Sequence, residues 1–189
     1  MPLIEENQTE TTEIDENIIR HEEKWCIVRI PGPRYNVLVP ILEKQFETRK
    51  RSKAIDQLGY IFLKHNPDTL LADLLPYYGA FPLRDCANQK RPATLTESEL
   101  NIFTKILEDS DLNLIILDHD LTYYAEGHVP VVCIDEPIFG KTGYIVRRKG
   151  NRNFIFSLSN TVTISATNAH KLRFLSIEDY QKAKDNGLI

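Results

Sequence analysis

The sequence has few of the residues that form metal sites or disulfide frameworks. Its three cysteines, Cys26, Cys86 and Cys133, are far apart and lack the CxxC spacing that is typical of zinc sites. The five histidines are dispersed in the same way, and no HExxH motif places two of them on one helix face. We therefore expect buried, reduced thiols, no metal ion and no cofactor.

Long apolar runs are also missing, because no stretch of about 18 apolar residues is available to span a bilayer. Residues 1–24 are acidic and have neither the basic segment nor the apolar segment of a secretory signal. These features predict a cytoplasmic protein without a membrane partner.

Motifs of common catalytic sites are absent as well. The sequence has no GxSxG elbow, and Gly140-Lys141-Thr142 lacks the upstream glycine and the spacing of a phosphate-binding loop. The cluster Asp118-His119-Asp120 does not favour a shared site, because neighbouring residues on a strand point to opposite faces. We predict that the protein is not an enzyme.

Charge is distributed unevenly along the chain. Residues 1–23 hold eight acidic residues and one arginine, a formal charge of −7, whereas the whole chain carries −4. The remainder is therefore mildly basic, at +3. An acidic segment with few apolar residues cannot bury enough surface to offset its ordering entropy. We predict a disordered acidic arm over residues 1–22.

The first half alternates β-rich segments with helix signals. Strands are predicted for KWCIVRI (24–30), YNVLVP (35–40), LGYIFLK (58–64), YYGAFPLRD (77–85) and LNLIIL (112–117). The polar stretch 41–57 favours an exposed loop or β-arm. Asn66-Pro67-Asp68 predicts the start of a short helix. Thr96 and Glu99 form a capping-box pattern that predicts a second helix, with apolar residues on one face: Leu100, Phe103, Ile106 and Leu107.

The second half consists of short β-rich segments separated by turns. They are VPVVCI (129–134), GYIVRR (143–148), NFIFSLS (153–159) and TVTISA (161–166), which together predict a small barrel. A capping pattern at Ser176 predicts a brief terminal helix.

Several of these segments resemble the NusG family of transcription elongation factors. KWCIVRI resembles the Trp-containing first strand of that family, LGYIFL its central strand, and RPATLTESEL the entry to the last helix of its N-terminal domain. Residues 137–148, PIFGKTGYIVRR, resemble the KOW signature, and TVTISAT is similar to UpxY-like antiterminators of polysaccharide operons. The resemblance covers roughly residues 24–175. The helix that the family has between its first two strands is expected to be missing or much shortened here.

The resemblance implies an α+β fold in which an antiparallel-sheet N-terminal domain flanked by helices precedes a small SH3-like KOW β-barrel. The implied division is an acidic arm over residues 1–22, the NusG-type domain over 23–117, a linker over 118–126, the barrel over 127–176 and a short C-terminal helix over 177–189.

The implied function is a monomeric transcription elongation and antitermination factor. Its N-terminal domain would bind the clamp helices of RNA polymerase and reduce pausing or termination at specific operons. Strand aromatics are common both in interfaces and in cores, so each candidate contact residue could also be a core residue. The candidates are Leu58, Tyr60, Phe62, Tyr77, Tyr78 and Phe81.

Two basic segments are candidate nucleic-acid contacts. Arg49, Lys50, Arg51 and Lys53 either bind upstream DNA or nascent RNA or form a solvated charge run. In the KOW-like segment, Gly140 and Gly143 suit a tight turn between strands. The turn and its basic patch, which either binds a ribosomal or termination-factor partner or serves solubility, comprise Pro137, Gly140, Gly143, Arg147, Arg148 and Arg152. The alternative function is an RNA-binding or ribosome-associated KOW-domain protein.

Overall fold

The computed structural model describes residues 23–49, 53–109, 112–148 and 150–189, with residues 53 and 54 described by their backbone only. The predicted acidic arm, residues 1–22, lies outside the described residues. The fold is of the α+β class, with two antiparallel sheets and helices packed on them. None of the helices in these ranges has both the length and the apolar content needed to cross a membrane.

The first sheet is built around strand β1, whose side chains from Trp25 to Val28 are all buried. Because both faces of this strand are covered, its sequence is a continuous apolar run rather than an alternating one. The strands of the sheet are β1 (Lys24–Arg29), β2 (Glu47–Thr48), β3 (Tyr60–His65), β4 (Phe81–Pro82) and β5 (Thr94–Leu95), in the order β2-β3-β1-β4 with β5 also pairing with β1.

Helices α1 (Gly32–Gln45) and α3 (Leu70–Leu74) cover one face of the first sheet. The predictions of a strand over 35–40 and of a missing or shortened first helix are therefore wrong. Tyr35, Val39 and Leu42 recur at the spacing of one helical face and are all buried, and their burial outweighs the β propensity of the segment.

The stretch 41–57, predicted as a loop or β-arm, contains the end of α1, strand β2 and helix α2 (Lys53–Leu58). Gly59 joins α2 to β3 with a φ of +71°. Its carbonyl accepts a hydrogen bond from the Ile30 N–H at 2.8 Å, and a Cβ at this position would lie 2.8 Å from the Ile30 oxygen. The turn therefore requires glycine.

The capping-box prediction is confirmed by α4 (Glu97–Glu108). The Thr96 hydroxyl accepts from the Glu99 N–H, and the Glu99 carboxylate accepts from the Thr96 N–H. The helix buries Leu100, Phe103 and Ile106 on its predicted inner face, and the Phe103 ring meets the Phe62 ring edge-on at 5.4 Å. Helix α4 thus covers the face of the first sheet opposite α1.

The second sheet has the strand order β11-β7-β8-β9-β10-β6. In the described residues its end strands, β11 and β6, are not paired with each other, so the hydrogen bonds do not close a barrel. Its strands are β6 (Leu114–Leu117), β7 (Pro130–Cys133), β8 (Thr142–Arg148), β9 (Asn151–Leu158), β10 (Val162–Ala166) and β11 (Phe174–Ser176). Helix α5 (Ile177–Asp185) follows, capped by the Ser176 side chain as predicted.

Strand β6 belongs to the second sheet, although the sequence assigns it to the end of the first domain. Leu117 pairs with Thr163 of β10. The acidic stretch 118–126 that follows contains a 3-10 helix, Leu121–Tyr124. The division into domains at residues 117 and 127 stays a prediction.

One apolar core connects the two sheets. Ile27 and Phe62 of the first sheet, Phe103 of α4, and Phe154 and Phe156 of β9 belong to the same cluster of buried side chains. Phe154 and Phe156 are stacked at a centroid distance of 5.3 Å. The inner face of the first sheet is therefore covered by α4 and the second sheet together.

Candidate functional site

Two of the aromatic candidates lie in one row across the first sheet. Arg29 pairs with Tyr60 on one side and with Phe81 on the other, and cross-strand partners share a face of the sheet. Tyr60 is half-buried and Phe81 is 54% exposed. Burial raises the pKa of Tyr60; Arg29 opposes this effect and Asp118 adds to it. The row therefore has a half-buried end at Tyr60 and an exposed end at Phe81.

An open groove of about 290 Å³ lies next to Phe81, between β4 and β6. The apolar part of its lining consists of Phe81, Pro82, Leu83, Ile116, Leu117 and Val162. The charged side chains that line it are Arg29, Arg84 and Asp118. No described carboxylate forms an ion pair with either arginine. The groove thus combines apolar side chains with two arginines that have no ion-pair partner among the described residues, and with the carboxylate of Asp118. We call these residues the Phe81 groove.

The other candidate contact residues do not join this surface. Phe62 is 1% exposed and belongs to the core, so a partner cannot reach it. Tyr77 is half-buried against the Phe46 ring, 6.0 Å away. Tyr78 is 75% exposed, with the Arg34 guanidinium 4.4 Å above its ring. Leu58, at the end of α2, is 38% exposed.

Only part of the first basic segment is described. Arg49 forms an ion pair of 2.7 Å with Glu97 and also donates to Asn101, so it is held against the first turns of α4. Lys50 and Arg51 lie outside the described residues, as does the side chain of Lys53. Nucleic-acid contact by this segment stays a prediction.

Gly140 and Gly143 of the KOW-like segment each suit glycine, but for different structural reasons. Gly140 has a φ of +76°, and its N–H donates to the Cys133 carbonyl at 2.8 Å. Gly143 has no free space, because a Cβ there would lie 2.1 Å from the Ile155 oxygen. Pro137 precedes them and is half-buried. Gly140 therefore lies in the loop that joins the paired strands β7 and β8, whereas Gly143 lies within β8, opposite Phe156 of β9.

The second basic patch lies on the hairpin of β8 and β9. Arg147, Arg148 and Arg152 are all exposed, and Arg147 lies directly opposite Arg152. Like charges in opposite positions destabilise a strand pair, and no ion pair in the described residues compensates for them. The Arg152 guanidinium lies 5.3 Å from the Phe174 ring centroid. The patch is therefore available to an anionic partner.

The role of Glu99 beyond the capping box was not predicted. Its carboxylate accepts hydrogen bonds from the Ser159 N–H, at 2.7 Å, and from the Ser159 hydroxyl, and Lys141 lies 3.4 Å away. Burial opposes its ionisation, but the hydrogen bonds from Ser159 and Thr96 outweigh burial and lower the pKa of Glu99 to about 2. Glu99 thus connects α4 to the second sheet. The sequence does not predict this contact, because Glu99 and Ser159 are sixty residues apart and no local motif connects them.

A second cavity, of about 880 Å³, opens beside Trp25. Its lining carries charges of both signs, including Lys24, Lys64 and Asp85. The Glu97 carboxylate at its edge already accepts from the Trp25 indole and from Arg49. Nowhere in the described ranges do three or more His, Cys, Asp or Glu side chains form a group that could hold a metal ion.

Two of the three cysteines are buried, as expected. Burial raises the pKa of Cys26 to about 12 and that of Cys133 to about 11. Both thiols are therefore protonated at neutral pH and are poor nucleophiles. Cys86 is half-buried.

No protein-family model, curated protein or solved structure matches the chain.

Proposed function

We propose that this protein is a NusG-like transcription elongation and antitermination factor, which binds RNA polymerase through its first sheet and carries a KOW-type module in its second half. The proposal begins from the segments that resemble this family. The helix α1 between the first two strands supports it, because the family has a helix at this place. The glycine turn that joins β7 to β8 supports it as well.

The observation that carries the proposal is the Phe81 groove. An exposed aromatic side chain beside an apolar depression is typical of the few residues that dominate interface energetics. In the proposed complex, an apolar side chain at the tip of the clamp helices enters the groove beside Phe81. Acidic groups of the polymerase face Arg29 and Arg84, which have no described carboxylate partner.

The mechanism is non-covalent. A factor that stays bound to elongating polymerase favours the polymerase conformation to which it binds more tightly, so it shifts the equilibrium between paused and active states. Reduced pausing then requires tighter binding to the active state. Operon specificity is the finest part of the proposal and rests on the UpxY-like segment TVTISAT alone.

A pull-down on purified core RNA polymerase tests the proposal. Phe81→Ala should reduce retention by about tenfold or more, because central aromatic anchors contribute about 2 kcal/mol or more to binding. Phe139→Ala is the matched control, since Phe139 is an exposed phenylalanine of the second half. Wild-type protein that is not retained, or equal retention of Phe81→Ala and wild type, would contradict the proposal.

An RNA-binding or ribosome-associated KOW protein is the second candidate. The exposed arginines of the β8–β9 hairpin favour it, because unpaired cations attract phosphate groups. Salt-sensitive binding to ribosomes or RNA that depends on Arg147 and Arg152, together with no affinity for polymerase, would favour this candidate over the first.

A further inference from the structure

An exposed pair of stacked aromatic rings lies between β6 and β7, two strands of the second sheet. The rings of His119 and Tyr123 are stacked at a centroid distance of 4.1 Å with an interplanar angle of 20°. Tyr123 is 63% exposed, and His119 is exposed as well. Neither residue belongs to a hydrophobic core cluster. Packing therefore does not explain why these rings are held together at the surface.

Hydrogen bonds order the backbone segment that carries the Tyr123 ring. The Asp120 carboxylate caps the 3-10 helix by accepting from the Tyr123 N–H at 3.1 Å and from the Thr122 hydroxyl at 2.6 Å. The ring of Tyr124 meets that of Tyr123 edge-on at 5.0 Å and is half-buried. A ligand that stacks on Tyr123 would therefore find the ring already ordered, which lowers the entropic cost of binding.

A cation lies beside the rings. Strand β8, which ends at Arg148, contacts the 3-10 helix Leu121–Tyr124. Burial raises the pKa of Tyr124, and the charge of Arg148 opposes this effect. Arg148 is exposed at the end of β8 and has no ion pair with a described carboxylate. Asp118 and Asp120 also lie near the rings, so an anionic group would approach from the Arg148 side.

Stacked aromatic rings next to an unpaired arginine match the chemistry of a single-stranded polynucleotide. Unpaired bases stack on exposed aromatic side chains, and cations bind the adjoining phosphates. In a duplex the bases are already stacked on each other, so a duplex would gain only the phosphate contact. An apolar protein segment would gain nothing from Arg148.

We propose that Tyr123, stacked on His119, binds a nucleobase of a single-stranded polynucleotide, while Arg148 binds an adjoining phosphate. The surface is defined by Tyr123, His119 and Arg148 and shares no residue with the Phe81 groove. The proposal does not rest on the polymerase contact, because binding of the polynucleotide is measured with the isolated protein.

Fluorescence anisotropy tests the proposal with labelled oligouridylate and oligothymidylate of about 12 nucleotides and with a duplex of the same length. Both single strands should bind at low salt, and the duplex about tenfold or more weakly. Tyr123→Ala should weaken single-strand binding roughly 5- to 100-fold, which corresponds to loss of one stacked base. Tyr123→Phe should bind within about twofold of wild type, because it keeps the ring.

Arg148→Gln should weaken binding and reduce its salt dependence, since one phosphate contact is lost. Phe139→Ala is the matched control, because Phe139 is an exposed aromatic residue outside this surface, and it should bind as wild type does. Similar affinity for the two single strands supports stacking, because every base offers a π-face to the Tyr123 ring. No binding by the wild type, duplex binding as tight as single-strand binding, or unchanged binding by Tyr123→Ala would overturn the proposal.

Discussion

At the scale of single residues, the position of each charge decides what it can do. Glu99 is held by four hydrogen bonds from Thr96 and Ser159. It therefore stabilises the contact between α4 and the second sheet. Arg29, Arg84 and Arg148 have no described ion-pair partner, and these are the cations for which we propose external ligands.

The depressed pKa of Glu99 predicts a specific loss of stability in acid. A carboxylate whose folded pKa lies below its unfolded value stabilises the fold above the unfolded pKa, and this contribution disappears as the pH falls to the folded pKa. For Glu99 the window runs from about 4.5 to about 2. Urea unfolding at several pH values should show a smaller acid-induced drop in the free energy of unfolding for Glu99→Gln than for wild type.

Glu99→Gln should also be less stable than wild type at pH 7, by about 2–3 kcal/mol, because hydrogen bonds to a charged group are lost. Glu178→Gln, on the exposed first turn of α5, is the control and should follow wild type at every pH. Parallel pH profiles for Glu99→Gln and wild type would show that Glu99 does not carry this part of the acid response.

At the scale of helices and strands, the sequence predicts an element correctly when the contacts that stabilise it lie within that element. The capping box and the spacing of Leu100, Phe103 and Ile106 predict α4 because both lie within the helix. Helix α1 is not predicted, because burial of Tyr35 and Val39 against the sheet is a tertiary contact that its β-branched sequence conceals. The pairing of β6 with β10 is equally non-local.

The close approach of strands β8 and β9 at Gly143 predicts how a substitution there changes stability. Gly143→Ala would place a methyl group 2.1 Å from the Ile155 oxygen, so the strands must separate. We expect a loss of about 2–3 kcal/mol in the free energy of unfolding. Gly32→Ala is the control, because a Cβ there has no neighbour within 4 Å. Equal unfolding midpoints for the two variants in urea would contradict this description of the hairpin.

At the scale of the whole molecule, the core shared by the two sheets determines which of the predicted contact residues stay accessible to a partner. The sequence predicts a contact surface of six residues, five of them aromatic, but α4 and the second sheet cover Phe62 and leave Tyr60 half-buried. What remains accessible is the end of the Tyr60–Arg29–Phe81 row and the groove between β4 and β6. Both sheets contribute to this groove, so neither half alone would form it.

Amide hydrogen exchange of the full chain, with and without core RNA polymerase, tests the central claim most directly. The Phe81 groove predicts that added polymerase slows exchange in residues 81–84 of the first sheet and in residues 114–118 of the second. Residues 177–185 of α5 should exchange at the same rate in both samples. Unchanged exchange throughout the chain, or protection confined to residues 147–152 of the basic hairpin, would contradict the claim.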